Sequence, residues 1–127
     1  MLVKEIMNEV CVVTSDITLK KAAALMLKHN IGSLVVLKEN KLSGIVTERD
    51  VIKNLGNLDK SIFKIMTPKV ITISQNASLE AAAGIMKKYK IKRVVVTGKK
   101  RDIPSGIITV TDIIANSDLL NEDGILI

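Results

Sequence analysis

The sequence predicts a mixed α/β (α+β) protein: two tandem β-α-β-β-α repeats packed on one another. Three observations carry this. Leu19–Leu37 aligns with Leu79–Thr97 at an offset of 60 with eight identities, among them Ala22/Ala82, Met26/Met86, Ile31/Ile91 and Val35/Val95. Six more residues match at an offset of 62: Gly44/Gly106, Ile45/Ile107, Thr47/Thr109, Asp50/Asp112, Ile52/Ile114 and Asn54/Asn116. The change of offset falls at Gly98–Pro104, a turn, where two extra residues leave packed elements undisturbed. The expected division is a first repeat over 1–57 and a second over 58–127 that includes a C-terminal tail. A unit of about 60 residues buries only about 60% of its unfolded surface, so each half is expected to pack face to face with the other.

In chain order, Met1–Glu9 reads as an entry segment whose Ile6-Met7 is echoed by Ile65-Met66 before the second repeat. Val10–Thr14 is a short apolar strand. Thr18 caps a helix over Leu19–Asn30, whose apolar residues at 19, 22, 23, 26 and 27 form one stripe. Leu34–Leu37 is a buried strand, and Glu39–Lys41 turns it into Leu42–Val46. Thr47 caps a helix reaching about Leu55, where Gly56 stops it. After a linker over Asn57–Ile65 the pattern returns: strand Val70–Ile73, a helix over Leu79–Lys90 capped by Ser78, strands Arg93–Thr97 and Ile103–Thr109, and a helix over Val110–Asn116. The tail ends in Ile125-Leu126-Ile127, and apolar residues at a terminus dock on something, in this chain or a neighbour.

Composition bounds the function. Apolar residues make up 47% of the 127 residues but aromatics only 2%, Phe63 and Tyr89, so the core must be aliphatic. No apolar run reaches the roughly 18 residues that cross a bilayer, and Met1–Glu9 lacks the apolar stretch of a signal peptide, so a cytoplasmic location is expected. Cys11 is the only cysteine, which rules out an internal disulfide or a thiolate zinc site, and it reads as a buried strand residue. His29, the only histidine, falls at a helix end, with no serine, cysteine or metal-ligand cluster to make it a base. The net charge of +6 is concentrated in segment 87–101, with eight basic residues and no acid.

The stretch Gly44-Ile45-Val46-Thr47-Glu48-Arg49-Asp50 and its copy Gly106-Ile107-Ile108-Thr109-Val110-Thr111-Asp112 each hand a strand to a helix. Thr-x-x-Asp is a capping box, the threonine hydroxyl accepting from the first turn while the acid reaches back. It also suits a ligand: free N–H groups, a hydroxyl and the positive helix end would seat an anion such as phosphate. The carboxylate one turn on can accept from the two hydroxyls of a ribose.

With both repeats laid out, the chain resembles the cystathionine-β-synthase (CBS) domain family, specifically the tandem pair called a Bateman module. The resemblance rests on the paired Gly-Ile-[Val/Ile]-Thr-x-x-Asp stretches, the Ile-Met before each repeat, and the alanine-rich helices followed by Ile31-Gly32-Ser33-Leu34-Val35-Val36 and Ile91-Lys92-Arg93-Val94-Val95-Val96. It covers nearly the whole chain and looks like a stand-alone module. The resemblance implies repeats packed with pseudo-two-fold symmetry, forming a regulatory, non-catalytic sensor that holds AMP, ADP, ATP or S-adenosylmethionine in clefts between the repeats. It places ribose at Asp50 and Asp112, with Thr47 and Thr109 placed for phosphate or ribose. The base pocket would come from the other repeat: Thr14, Ser15 and Ile31, Gly32, Ser33 for Asp112; Ile71, Thr72, Ile91 and Lys92 for Asp50. Lys92 and Arg93 match the position of phosphate-contacting basic residues, whereas the first repeat has Gly32 and Ser33 there, so the clefts cannot carry equal charge and one is expected to be used. A homodimer joined through the helices after Thr47 and Thr109 is also implied, with an unidentified regulated protein as partner.

Two other readings compete. Segment 87–101 would suit nucleic acid electrostatically, though two aromatics supply few stacking platforms. A purely structural dimerisation module would need Thr-x-x-Asp only as a cap. No metal, catalytic cofactor or membrane is called for.

Overall fold

The computed structural model describes residues 1–100 and 103–116. The chain forms α1 (Val3–Ile6), β1 (Val12–Thr14), α2 (Leu19–His29), β2 (Ser33–Lys38), β3 (Lys41–Thr47) and α3 (Glu48–Lys53). Short 3₁₀ turns follow at Leu55–Asn57 and Ile62–Lys64. Then come β4 (Thr72–Ser74), α4 (Leu79–Tyr89), β5 (Arg93–Thr97), β6 (Pro104–Thr109) and α5 (Val110–Ala115). The strands form two three-stranded sheets, β1-β2-β3 and β4-β5-β6, each with one parallel and one antiparallel pair. The predicted α/β repeat, β-α-β-β-α twice over, is therefore present.

The elements form for the reasons the sequence gives, with shifted ends. Thr18 and Ser78 accept hydrogen bonds from Lys21 N and Ala81 N, capping the two long helices. Each helix stops one residue earlier than its apolar stripe suggests, because Asn30 (φ 51°) and Lys90 (φ 55°) take the left-handed conformation that closes a helix end. Glu39 and Asn40 both have positive φ, as a two-residue hairpin between twisted strands requires. α3 ends at Lys53, short of Gly56, because Asn54 leaves helical geometry and its side chain donates to Asp50 O at 2.7 Å. Asn116 does the same to Asp112 O at 2.8 Å. β1 and β4 begin at Val12 and Thr72, two residues later than the apolar runs, since pairing starts only opposite Val35 and Val95. Cys11 thus precedes the strand and is partly buried; its carbonyl accepts from Val35 N at 2.9 Å.

Val10–Val70 forms one unit, and Met1–Glu9 packs with the chain from Ile71 onward to form the other. The entry segment thus belongs to the fold of the second repeat. Val3 is fully buried among Ile73, Leu79, Ala82 and Met86. Val3 N donates to Ala77 O at 2.8 Å, and Asn8 and Ile107 exchange backbone hydrogen bonds. The linker plays the same part for the first repeat: Ile62 is fully buried beside Leu19, Leu34 and Val46, and Thr67 and Ile45 exchange backbone bonds.

This exchange explains the first residue of the repeated motif. A Cβ on Gly44 would overlap the Met66 side chain and lie 2.9 Å from Thr67 O; one on Gly106 would lie 2.7 Å from Met7 Sδ and 2.8 Å from Asn8 O. Met7 and Met66, each with the backbone that follows it, and the two glycines are therefore two sides of one contact, made once in each unit. The two cores are aliphatic, while Phe63 and Tyr89 stay about half exposed, each beneath a lysine ammonium, Lys38 at 4.1 Å and Lys88 at 5.2 Å. The tail 118–127, expected to dock, lies outside the described residues.

Candidate functional site

Each unit carries one copy of the Thr-x-x-Asp constellation where its last strand becomes a helix. In the first, Thr47 N donates to Asp50 Oδ2 at 2.8 Å, the Thr47 hydroxyl lies 3.2 Å from the same oxygen, and Asp50 N reaches Thr47 Oγ1 at 3.4 Å. In the second, Thr109 N and Thr109 Oγ1 both lie 2.8 Å from Asp112 Oδ2, and Asp112 N reaches Thr109 Oγ1 at 3.2 Å. Both are reciprocal capping boxes, so the structural role of the motif is present in full.

Most of the backbone N–H groups expected to form an anion seat have partners within the protein. Glu48 N, first in α3, donates to Gly32 O at 3.0 Å; Val110 N, first in α5, donates to Lys92 O at 2.9 Å. With Thr47 N, Asp50 N, Thr109 N and Asp112 N bound within the capping boxes, these amides are already engaged.

What remains for a ligand is carboxylate. Asp50 and Asp112 are half-buried, and among the described residues neither uses its Oδ1 as a protein hydrogen-bond acceptor. An oxygen held still by bonds to its twin and left open itself is a ready acceptor for hydroxyls. The two boxes differ in one contact. Asn8 Nδ2 donates to Asp112 Oδ2 at 2.7 Å, a third donor on that oxygen. The equivalent backbone position beside Asp50 is Thr67, whose side chain makes no such bond among the described residues. Sequence reasoning missed Asn8; its only trace was its place directly after the Ile6-Met7 pair.

Several of the sequence-predicted residues gather around each box. In the first unit Ser33 pairs with Thr47 across β2 and β3, after Ile31 and Gly32. In the second, Arg93 pairs with Thr109 across β5 and β6, after Ile91 and Lys92. The basic pair thus shares a unit with Thr109 and Asp112, and the glycine-serine pair shares one with Thr47 and Asp50. Thr14 ends β1, and its hydroxyl donates to Asp16 at 2.5 Å, the main cause holding that exposed carboxyl below its usual range. Ser15 O accepts from the Ser61 hydroxyl at 2.7 Å. Ile71 packs against the core just ahead of β4, and Thr72 opens that strand opposite Val95. Among the described residues no group of three or more histidine, cysteine, aspartate or glutamate side chains could hold a metal ion, and no helix is long and apolar enough to cross a membrane.

A family model described as "CBS domain" matches the chain twice, over residues 3–57 and 62–118. Among curated proteins, the L-aspartate semialdehyde sulfurtransferase of Methanocaldococcus jannaschii is 38% identical over 114 residues, covering 88% of this chain but only 22% of that protein. Among solved structures, the CBS domain pair of protein MJ0100, crystallised with 5′-methylthioadenosine and S-adenosyl-L-methionine, superposes with a TM-score of 0.81 at 36% identity. That match covers 89% of this chain and 92% of that one. The CBS-domain protein ATU1752 of Agrobacterium tumefaciens superposes with a TM-score of 0.80 at 26% identity, covering 91% and 98%.

Proposed function

This chain belongs to the CBS domain family, and from that premise we propose that it is a regulatory module that binds an adenosine-containing ligand and makes or breaks no covalent bond. The observation that carries the reading is the carboxylate found in both units: anchored through Oδ2, open at Oδ1, and placed by a Thr-x-x-Asp turn. A solved relative holding two adenosine-containing ligands supports the choice of ligand class. Asp50 and Asp112 accept the ribose hydroxyls, and Thr47 and Thr109 hold them in place. Thr14, Ser15, Ile31, Gly32, Ser33, Ile71, Thr72 and Ile91 contribute the pocket for the base. The module acts in the cytoplasm on a protein that reads its bound state.

Lys92 and Arg93 supply the charge for phosphates, the more so because the backbone amides of the capping boxes are engaged. A charged donor to phosphate is worth about twice a neutral one. Calorimetric titration with AMP, ADP, ATP and S-adenosylmethionine tests the ligand class; no heat with any of them would refute it. In the same experiment Lys92→Ala with Arg93→Ala should weaken ATP and ADP far more than adenosine and flatten the salt dependence. Unchanged relative affinities would place the phosphates elsewhere.

The module is also proposed to be a homodimer. Val51 and Ile113 turn into their cores, but Ile52 and Ile114 on the same helices are 68% and 46% exposed, and Leu55 is 62% exposed. A second copy would cover these side chains. Light scattering should give twice the chain mass at tens of micromolar, and a monomer there would contradict it.

A further inference from the structure

We propose that Asn8 sets the two carboxylates apart, making Asp112 the weaker ribose acceptor and Asp50 the stronger. The inference rests on the ribose reading of both aspartates and goes beyond it by naming the residue that divides them.

The two carboxylates differ in acceptor capacity. A carboxylate oxygen offers two lone pairs. Asp50 Oδ2 spends them on Thr47 N and Thr47 Oγ1, at 2.8 and 3.2 Å. Asp112 Oδ2 takes the same two donors, both at 2.8 Å, and then Asn8 Nδ2 at 2.7 Å. The longer of the two contacts at Asp50, the Thr47 hydroxyl at 3.2 Å, is the one an incoming ribose hydroxyl can displace from Oδ2. None of the three short contacts at Asp112 is so long, so a ribose diol there has Oδ1 alone.

The position of Asn8 makes this a device of the fold. Its backbone is fixed by mutual bonds with Ile107, Asn8 N to Ile107 O at 2.8 Å and Ile107 N to Asn8 O at 3.1 Å. Thr67 is fixed to Ile45 in the same way, at 3.0 and 3.1 Å. The two boxes thus share a backbone frame and differ in the side chain beside them, an amide in one and a hydroxyl in the other. The Asn8 side chain is exposed, so exchanging it leaves the core packing of the unit intact.

The test isolates one site at a time and uses a ligand pair that differs only in the diol. In protein carrying Asp50→Asn, so that Asp112 is the remaining acceptor, Asn8→Thr should tighten adenosine binding by about twofold to fivefold. Binding of 2′,3′-dideoxyadenosine should not change. Reciprocally, in protein carrying Asp112→Asn, Thr67→Asn should weaken adenosine by a similar factor; this arm keeps the test decisive if Asn8→Thr folds poorly. Unchanged or weaker adenosine binding in the Asn8 variant, or an equal gain for both ligands, would overturn the proposal while leaving the ribose reading intact. If adenosine and its dideoxy analogue bind the parent equally, the ribose reading itself fails and the assignment of Asn8 falls with it.

Discussion

Replacing both Asp50 and Asp112 by asparagine should weaken binding of an adenosine-containing ligand by roughly 1.5–3 kcal/mol, tenfold or more. The fold should stay almost unchanged. Asparagine keeps a carbonyl that can accept from Thr47 N or Thr109 N, the capping bonds now made at 2.8 Å in each box. With that bond kept at N3 and the threonine N-caps untouched, the stability cost should be about 1 kcal/mol or less. What asparagine loses is the second acceptor oxygen and the charge. The two consequences separate the accounts: thermal denaturation reads the cap, and titration calorimetry reads the site. A loss of stability with binding unchanged would return Thr-x-x-Asp to a purely structural role.

Removal of Met1–Glu9 should have a comparably large effect, on folding. It takes fully buried Val3 out of the core formed by Ile73, Leu79, Ala82 and Met86. It also takes away Met7 from above Gly106 and the backbone bonds of Val3, Lys4 and Asn8 to Ala77, Gln75 and Ile107. A large-to-small change at a core site alone costs about 2–5 kcal/mol, and each lost backbone bond about 1 more. Against a total stability of about 5–15 kcal/mol, that suffices to unfold the second unit. Hydrogen exchange should show amides in 71–100 and 103–116 losing protection before those in 10–70. Equal loss throughout, or none, would show that the entry segment is not part of that unit.

The order of elements was legible because the chain states it twice: the repeat confirms each strand and helix against its copy, even where Gly84 stands for Ala24. Element ends were less so. Apolar runs mark where a strand may lie, but pairing decides where the ladder begins, which is why β1 and β4 start at Val12 and Thr72. The assignment of Met1–Glu9 was not legible at all. An Ile-Met pair before each repeat signals a shared role, but which repeat it packs against is a tertiary fact, carried by the burial of Val3, the backbone bonds of Val3, Lys4 and Asn8, and the lack of room over Gly106.

In the candidate site, the sequence pointed to Thr47, Asp50, Thr109 and Asp112 through the repeated Thr-x-x-Asp spacing of a capping box and the family resemblance that the repeat carries. It could not show that the neighbouring amides are engaged, because the acceptors, Gly32 O and Lys92 O, are backbone atoms that no side-chain pattern reports. Asn8 escaped for another reason: it meets Asp112 across 104 positions of sequence, with no local periodicity to link them.

The most direct measurement of the central claim is a calorimetric comparison of adenosine with 2′,3′-dideoxyadenosine on the unaltered protein. The two share a base and differ only in the hydroxyls that Asp50 and Asp112 are proposed to accept. Loss of both hydroxyls should weaken binding about tenfold or more, since each bond to a charged acceptor is worth about 1.5–3 kcal/mol. Equal affinity for the two ligands would contradict the account.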